Sequence, residues 1–465
     1  MRRLILAAFA IVVVAVVCWA MLSRTQVPSE LGYVVRHASL GSAYVASELC
    51  YGVLLQGRTE ESVRASELGP WVDDRLSWYR TRVDDERREV RAALVGLFRQ
   101  QWGQRADGSC SRGLPGEAAA SLVANAPDPR PWPAGDALHP GARTLVPHHA
   151  ALVRAVAEEF RPFDSGRDRG TRSVLVIHRG HLVHEHHAPG WNRLIPQNGH
   201  SNTKVLNAIL AGVLVGQGKL SVEDEALRPD WTDERASIRF HHLLHMESGL
   251  AWEESSGVDD SGYAKLIASS ASDYAAEKAL IFAPGDRFNY SGGDSELAIS
   301  VLQRRSGLDV EAWARYPHEV LFRPLGMTRT VLARTASGEI IAQGSMYAAA
   351  VDWARLGLFL ARDGVWDGER ILPEGWVDFM ATPTDASGCN YGAQLWIRGG
   401  CTEGSAAPVF ELSGFMGQGV VVVPGSETII VRLGFGPWIM GDLLERVLPA
   451  LGVDAPTRMA MEVDG

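Results

Sequence analysis

The sequence predicts an α+β protein whose antiparallel sheet draws strands from both ends of residues 149–455, around a mostly helical middle. Three observations predict it. First, Ser173 to His178 is a short β-branched apolar run, Arg179-Gly180 supplies a turn, and His181 to Val183 resumes the strand. Second, a matching hairpin closes the region: Val420 to Val423, the turn Pro424-Gly425-Ser426, then Thr428 to Val431. Third, apolar segments at helical spacing lie between them, around Val205–Leu214, Leu297–Leu302 and Trp353–Leu360. A further helix is predicted from Trp438 to Leu448. Strands gathered from both ends around helices make an α+β architecture.

The N-terminus sets the compartment. Met1-Arg2-Arg3 precedes an unbroken apolar run of 19 residues, Leu4 to Leu22, close to the roughly 20 that span a bilayer. The basic flank would stay cytoplasmic, placing everything after Ser23 on the far side. Residues 1–29 are therefore expected to be a membrane anchor or a cleaved signal. The rest is expected to be periplasmic or extracytoplasmic, held at the inner membrane if the segment is retained. Cys18 lies within the run, but the branched Val17 before it argues against lipoprotein processing. Export makes disulfides possible. Cys50, Cys110, Cys389 and Cys401 allow three connectivities; a local Cys389–Cys401 bridge is plausible and would leave Cys50 with Cys110. No Cys-x-x-Cys occurs, so the cysteines fit no zinc pattern.

Composition excludes other classes. An apolar fraction of 46% and a charged fraction of 22% exclude disorder over most of the chain. A net charge of −10 argues against nucleic acid as a partner. Residues 30–148 read as an N-terminal extension and linker, with seven of the 23 prolines between Pro115 and Pro147. Within it, Trp78 to Gln100 fits either a helix or a hairpin turning at Asp84-Asp85-Glu86.

Three segments carry candidate chemistry. Ser201-Asn202-Thr203-Lys204 opens the apolar segment Val205–Leu214, with Ser201 where a helix begins and Gly218 suited to its end. Residues three apart share a helix face, so the Lys204 ammonium reaches the Ser201 hydroxyl. A serine is a poor nucleophile until a neighbour takes its proton, and a lysine in an apolar pocket has a lowered pKa. Taken alone, the same spacing describes an N-cap serine with a solvated lysine one turn later. Next, Pro284 to Asp294 forms a Gly-rich turn presenting Tyr290 just before a helix. A phenol acts as a base only where a nearby cation stabilises phenolate, and Lys204 is a candidate; alone, Tyr290 reads as an ordinary buried tyrosine. Last, Ser413-Gly414-Phe415-Met416-Gly417-Gln418-Gly419 enters the strand Val420–Val423. Its glycines let a substrate approach the backbone, whose N–H could join that of Ser201 in an oxyanion hole; they equally fit a bulge on an edge strand.

In that order, Ser-x-x-Lys, a tyrosine triplet and a glycine motif on the last strands resemble class C β-lactamases and serine penicillin-binding proteins. Connecting segments resemble them too: Ile238-Arg239-Phe240-His241-His242-Leu243-Leu244-His245-Met246-Glu247-Ser248-Gly249-Leu250, Pro324-Leu325-Gly326-Met327-Thr328-Arg329-Thr330, and Ile371-Leu372-Pro373-Glu374-Gly375-Trp376. The resemblance spans roughly residues 170–450 and leans toward the esterase and 6-aminohexanoate-dimer hydrolase branch. It implies a β-lactamase/transpeptidase-like fold and an exported serine hydrolase that cleaves an ester or amide through an acyl-serine, with no cofactor and no metal. It makes Ser201 the nucleophile, Lys204 its activating cation, and Tyr290 the general base that also protonates the leaving group. The N–H groups of Ser201 and Gln418 would form the oxyanion hole. Gly292, Phe415 and Gly417 would meet the substrate.

Two departures shape the expected substrate. Gly292 stands where β-lactamases carry Asn, and Phe415 where they have Lys and many esterases His. Both changes disfavour β-lactams. They are also the warning signs of a catalytically silent ligand binder, and a D-alanyl-D-alanine carboxypeptidase or a β-lactamase is a further alternative. The histidine groups His178, His181, His184, His186, His187 and His241, His242, His245 lack a His-Glu-x-x-His arrangement and are expected to be structural.

Overall fold

A computed structural model describes residues 29–69, 74–117, 128–138, 140–254, 259–400, 409–436 and 440–454. The predicted anchor, Leu4 to Leu22, lies outside them. The chain forms two compact units, one of residues 1–121 with 255–270 and 334–337, the other of the remainder.

In the first unit, a helix from Ser29 to Leu49 continues through a wider turn, Cys50–Leu55, and its apolar side packs on a four-stranded sheet. That sheet runs in the order β1 (Tyr79–Asp84), β2 (Glu89–Leu94), β3 (Leu97–Gln104), β4 (Cys110–Arg112), all antiparallel. The sequence left Trp78–Gln100 open between helix and hairpin; it is a hairpin, with Asp84 Oδ1 accepting the Arg87 N–H at 3.1 Å in the turn. Period-2 alternation buries Val90, Ala92 and Trp102 on one face and leaves Arg82 opposite Arg91 on the other. Val35–Leu55 is long and apolar enough to cross a membrane, yet it is 72% buried, as a core helix is. A disulfide joins Cys50, at the end of the helix, to Cys110 on β4. The Tyr51 hydroxyl bonds both the N–H and the carbonyl of Cys110, each at 3.1 Å. Cys389 is disulfide-bonded as well; Cys401, its expected partner, lies outside the described residues.

The second unit is built on a six-stranded antiparallel sheet. The first hairpin is β5 (Thr171–His178) with β6 (His181–His187). Short strands β7 (Gln197–Asn198), β8 (Thr330–Leu332) and β9 (Met346–Ala348) form a separate small sheet. A small hairpin, β10 (Val365–Trp366) and β11 (Glu369–Arg370), follows. Then β12 (Trp396–Arg398), β13 (Val409–Gly414), β14 (Gln418–Val423) and β15 (Thr428–Gly434) complete the main sheet in the order β12-β13-β14-β15-β5-β6. The N-terminal hairpin thus docks on the last strand, as the α+β reading requires. Both faces of the central strands are covered, so they read as unbroken apolar runs. Val174, Val176, Val421 and Ile430 pack under the helices His149–Glu158 and Met440–Leu451. On the other face Gly357, in the helix Ala350–Ala361, lets Ile429 and Val420 come so close that an added Cβ would stand 2.8 Å from Ile429.

Residues 128–138 of the Pro-rich stretch belong to this unit and are held within it. Arg355 donates to the Gly135 carbonyl at 2.8 Å and pairs with Asp136 at 2.9 Å and Asp352 at 3.1 Å, all nearly fully buried. Arg329 adds a fourth charge, 3.4 Å from Asp136. Composition marks proline as a breaker of regular structure; it does not reveal that two arginines hold the broken segment in place.

Candidate active site

The nucleophile's turn is fixed by its backbone. His200 lies at φ +46°, a left-handed conformation costly for a non-glycine residue, and its N–H is held by Asn198 Oδ1 at 2.8 Å. Gly199 must be glycine, because an added Cβ would lie 2.2 Å from the Trp353 ring. His200–Lys204 is a 3₁₀ turn, and the α-helix proper runs Val205–Gly216. Ser201 is therefore one turn ahead of the α-helix instead of capping it. Its side chain is half-buried.

Lys204 Nζ is 3.1 Å from Ser201 Oγ and donates to the Gln343 carbonyl at 2.9 Å. It also lies 4.7 Å from the centre of the Tyr290 ring. The three residues that the sequence singled out for chemistry thus converge from separate segments. One expectation is corrected. Burial alone would pull the Lys204 pKa down, as expected of an apolar pocket, but Tyr290 and Glu254 outweigh it and hold the value above its ordinary one.

Tyr290 is positioned by aromatic packing. Its ring stacks on Trp396 at 5.4 Å and meets Tyr391 edge-on at 5.9 Å. Just after it, Ser291 caps the helix Gly292–Ser306 by accepting the Asp294 N–H at 3.0 Å. Glu254, Gln343, Tyr391 and Trp396 belong to none of the motifs that the sequence singles out. An acidic residue two places past a tryptophan, and aromatics between two cysteines, were the available signals.

The glycine motif lies against the nucleophile through Gly414. An added Cβ there would stand 2.2 Å from the Gly199 carbonyl and 3.2 Å from Asn202 Oδ1. The hairpin from Gly414 to Gln418 is clamped from behind: buried Arg432 donates to the Gly417 carbonyl at 2.6 Å, and Gly434 donates to Gln418 Oε1 at 3.1 Å. The Gln418 side chain is thus committed to the fold, which leaves its backbone to any chemistry. Phe415 is 48% exposed, with its ring edge-on to His200 at 5.6 Å. Gly292 contributes its N–H to Glu254, and Gly417 sits in the turn at φ +78°. Among the described residues no group of three or more His, Cys, Asp or Glu is placed to hold a metal ion.

Behind the site, buried Glu296 accepts the N–H of Gln343 at 3.0 Å, the residue whose carbonyl holds Lys204. Burial pushes its pKa up to about 8, helped by Glu339 and opposed by the Gln343 hydrogen bond. In an unfolded chain this carboxyl ionises near its ordinary 4.5. Its cost to folding therefore grows as pH climbs from there to about 8, and is absent below. Glu296→Gln carries no such cost. Relative to the native chain, its melting point is expected to rise between about pH 5 and about pH 9, by the equivalent of about 2–4 kcal/mol. A constant difference would show that Glu296 does not titrate late.

Residues 152–434 match the family model described as Beta-lactamase. The chain belongs to the beta-lactamase family. Solved structures of similar fold include a protein described as a 6-aminohexanoate-dimer hydrolase from Bacillus anthracis, 20% identical, TM-score 0.51, over 57% of this chain and 74% of that one. A protein described as a beta-lactamase from Bacteroides dorei is 16% identical, TM-score 0.53, over 66% and 98%. SurE is 18% identical, TM-score 0.52, over 70% and 79%. At such identity the likeness is one of fold. No curated protein matches the chain. As in the beta-lactamase family generally, the chain is a serine-hydrolase type of molecule.

Proposed function

We propose that this chain is an exported serine hydrolase that cleaves an ester or amide through an acyl-serine intermediate. The observation that carries the proposal is Lys204: a buried ammonium 3.1 Å from the hydroxyl of a partly buried serine and 4.7 Å from the centre of the Tyr290 ring. Beside this cation Tyr290 serves as the general base and takes the Ser201 proton while Oγ attacks the substrate carbonyl. The oxyanion is received by the backbone N–H of Ser201 and that of Gln418. When the tetrahedral species collapses, the bond to the alcohol or amine breaks and Tyr290 returns the proton to that leaving group. Water then attacks the acyl-serine, gives its proton to Tyr290, and releases the acid while Ser201 is reprotonated. Phe415 and Gly292 favour a substrate without the carboxylate and side-chain amide of a β-lactam. The run from Leu4 to Leu22 is proposed to hold the enzyme at the outer face of the membrane.

The test is covalent. A fluorophosphonate is expected to add to the intact protein, with the adduct mapped to Ser201, and a panel of short esters and amides is expected to show turnover. Nitrocefin is expected to be hydrolysed slowly or not at all. Absence of both adduct and turnover would replace the enzyme with a ligand binder, and rapid acylation by penicillin would move the reading to a carboxypeptidase.

A further inference from the structure

Glu254 places a carboxylate directly on the reacting group's cation. Its Oε1 is 3.5 Å from Lys204 Nζ, with the Lys204 side chain 2% exposed and that of Glu254 22% exposed. Its Oε2 accepts from Trp252 Nε1 and from the Gly292 N–H, each at 2.8 Å. The placement is built from neighbouring positions. Gly293 lets the Trp252 ring lie against the helix start, where an added Cβ would be 2.5 Å from that ring, and the indole N–H then fixes Glu254. Gly292, lacking the amide found in β-lactamases, presents only its backbone N–H, and the carboxylate occupies it.

We propose that Glu254 is a positioning residue that keeps Lys204 as an ammonium, aimed between Ser201 and Tyr290. The inference rests on the serine-hydrolase reading above and adds a division of labour to it. The groups facing Lys204 are Ser201 from the 3₁₀ turn, the Gln343 carbonyl, Tyr290 ahead of its helix, and Glu254. Behind them stand Tyr391, edge-on to Tyr290, and Asp294, whose pKa burial pushes up to about 7. Buried amines prefer to be neutral. A carboxylate 3.5 Å away opposes that preference together with Tyr290, which favours the ammonium and leaves the serine proton to Tyr290.

Glu254→Gln isolates the charge, because the amide oxygen still accepts from Trp252 and Gly292. The rate of Ser201 labelling by a fluorophosphonate is followed by intact mass from about pH 6 to about pH 11 in the full chain. The ammonium is lost as pH rises through the Lys204 pKa, which lies above its ordinary value, so native labelling holds over most of this range and its alkaline limb begins only at the upper edge. In Glu254→Gln that limb is expected to move to lower pH by about one unit or more, the effect of removing an opposite charge at this range. In Glu254→Asp, which keeps the charge, it is expected to stay near the native position. Steady-state ester turnover should fall in kcat with KM little changed. A native alkaline limb in Glu254→Gln, with or without a lower rate, overturns the proposal and reduces Glu254 to a structural acceptor. No labelling of the native protein at any pH sinks instead the serine-hydrolase reading beneath it.

Discussion

Lys204→Met is expected to lower ester turnover and fluorophosphonate labelling by about three orders of magnitude or more. Methionine approximates the volume of the lysine stem, so the loss is one of charge. Without the ammonium, the Tyr290 ring loses the cation 4.7 Å from its centre, and Ser201 Oγ loses the donor 3.1 Å away. The variant should be less stable as well. Glu254 would face the buried site without its opposite charge, and the Gln343 carbonyl would lose its donor at 2.9 Å. Breaking one side of a buried pair typically costs about 3–5 kcal/mol; Glu254 is partly exposed, which argues for the lower end or below. Turnover measured well under the melting point separates the two effects. Near-native labelling in a folded Lys204→Met chain would exclude Lys204 from the chemistry.

The second large effect concerns the first unit. The Cys50–Cys110 bridge spans 60 residues of sequence. On a chain-entropy account, closing a loop of that length stabilises the fold by about 4 kcal/mol. The bridge joins the central helix to the edge strand of a small sheet, next to the two Tyr51 hydrogen bonds on Cys110. Cys110→Ser is expected to make the first unit open first on heating, with proteolytic cuts appearing in residues 29–117 before any in the second unit. Reductant on the native chain should reproduce the pattern. Equal protease resistance with and without the bridge would show that helix and sheet packing suffices.

Much of this was legible from residue patterns. The two hairpins announced themselves through apolar runs broken by Arg179-Gly180 and Pro424-Gly425-Ser426, because turn chemistry is local. Ser201, Lys204 and Tyr290 were visible because each sits in a motif whose spacing carries its chemistry. Other features depend on contacts across hundreds of residues. Nothing near Glu254 in the sequence says that it meets Lys204, since that contact is made by folding the chain back through Trp252 and Gly293. The 3₁₀ start of the nucleophile helix was also hidden: helical periodicity over four residues is compatible with either winding. The hairpin at Trp78–Gln100 was ambiguous because Asp84-Asp85-Glu86 and its arginines suit a solvated helix as well as a turn.

Where Gly414 meets Gly199, main chain touches main chain, and no side chain serves as a spacer that mutation could trim or lengthen. The distance between the last strands and the attacking serine is therefore inherited with the fold. Diversification toward new substrates has to work around that fixed joint, through replaceable neighbours such as Glu254, Tyr391, Trp396 and Phe415.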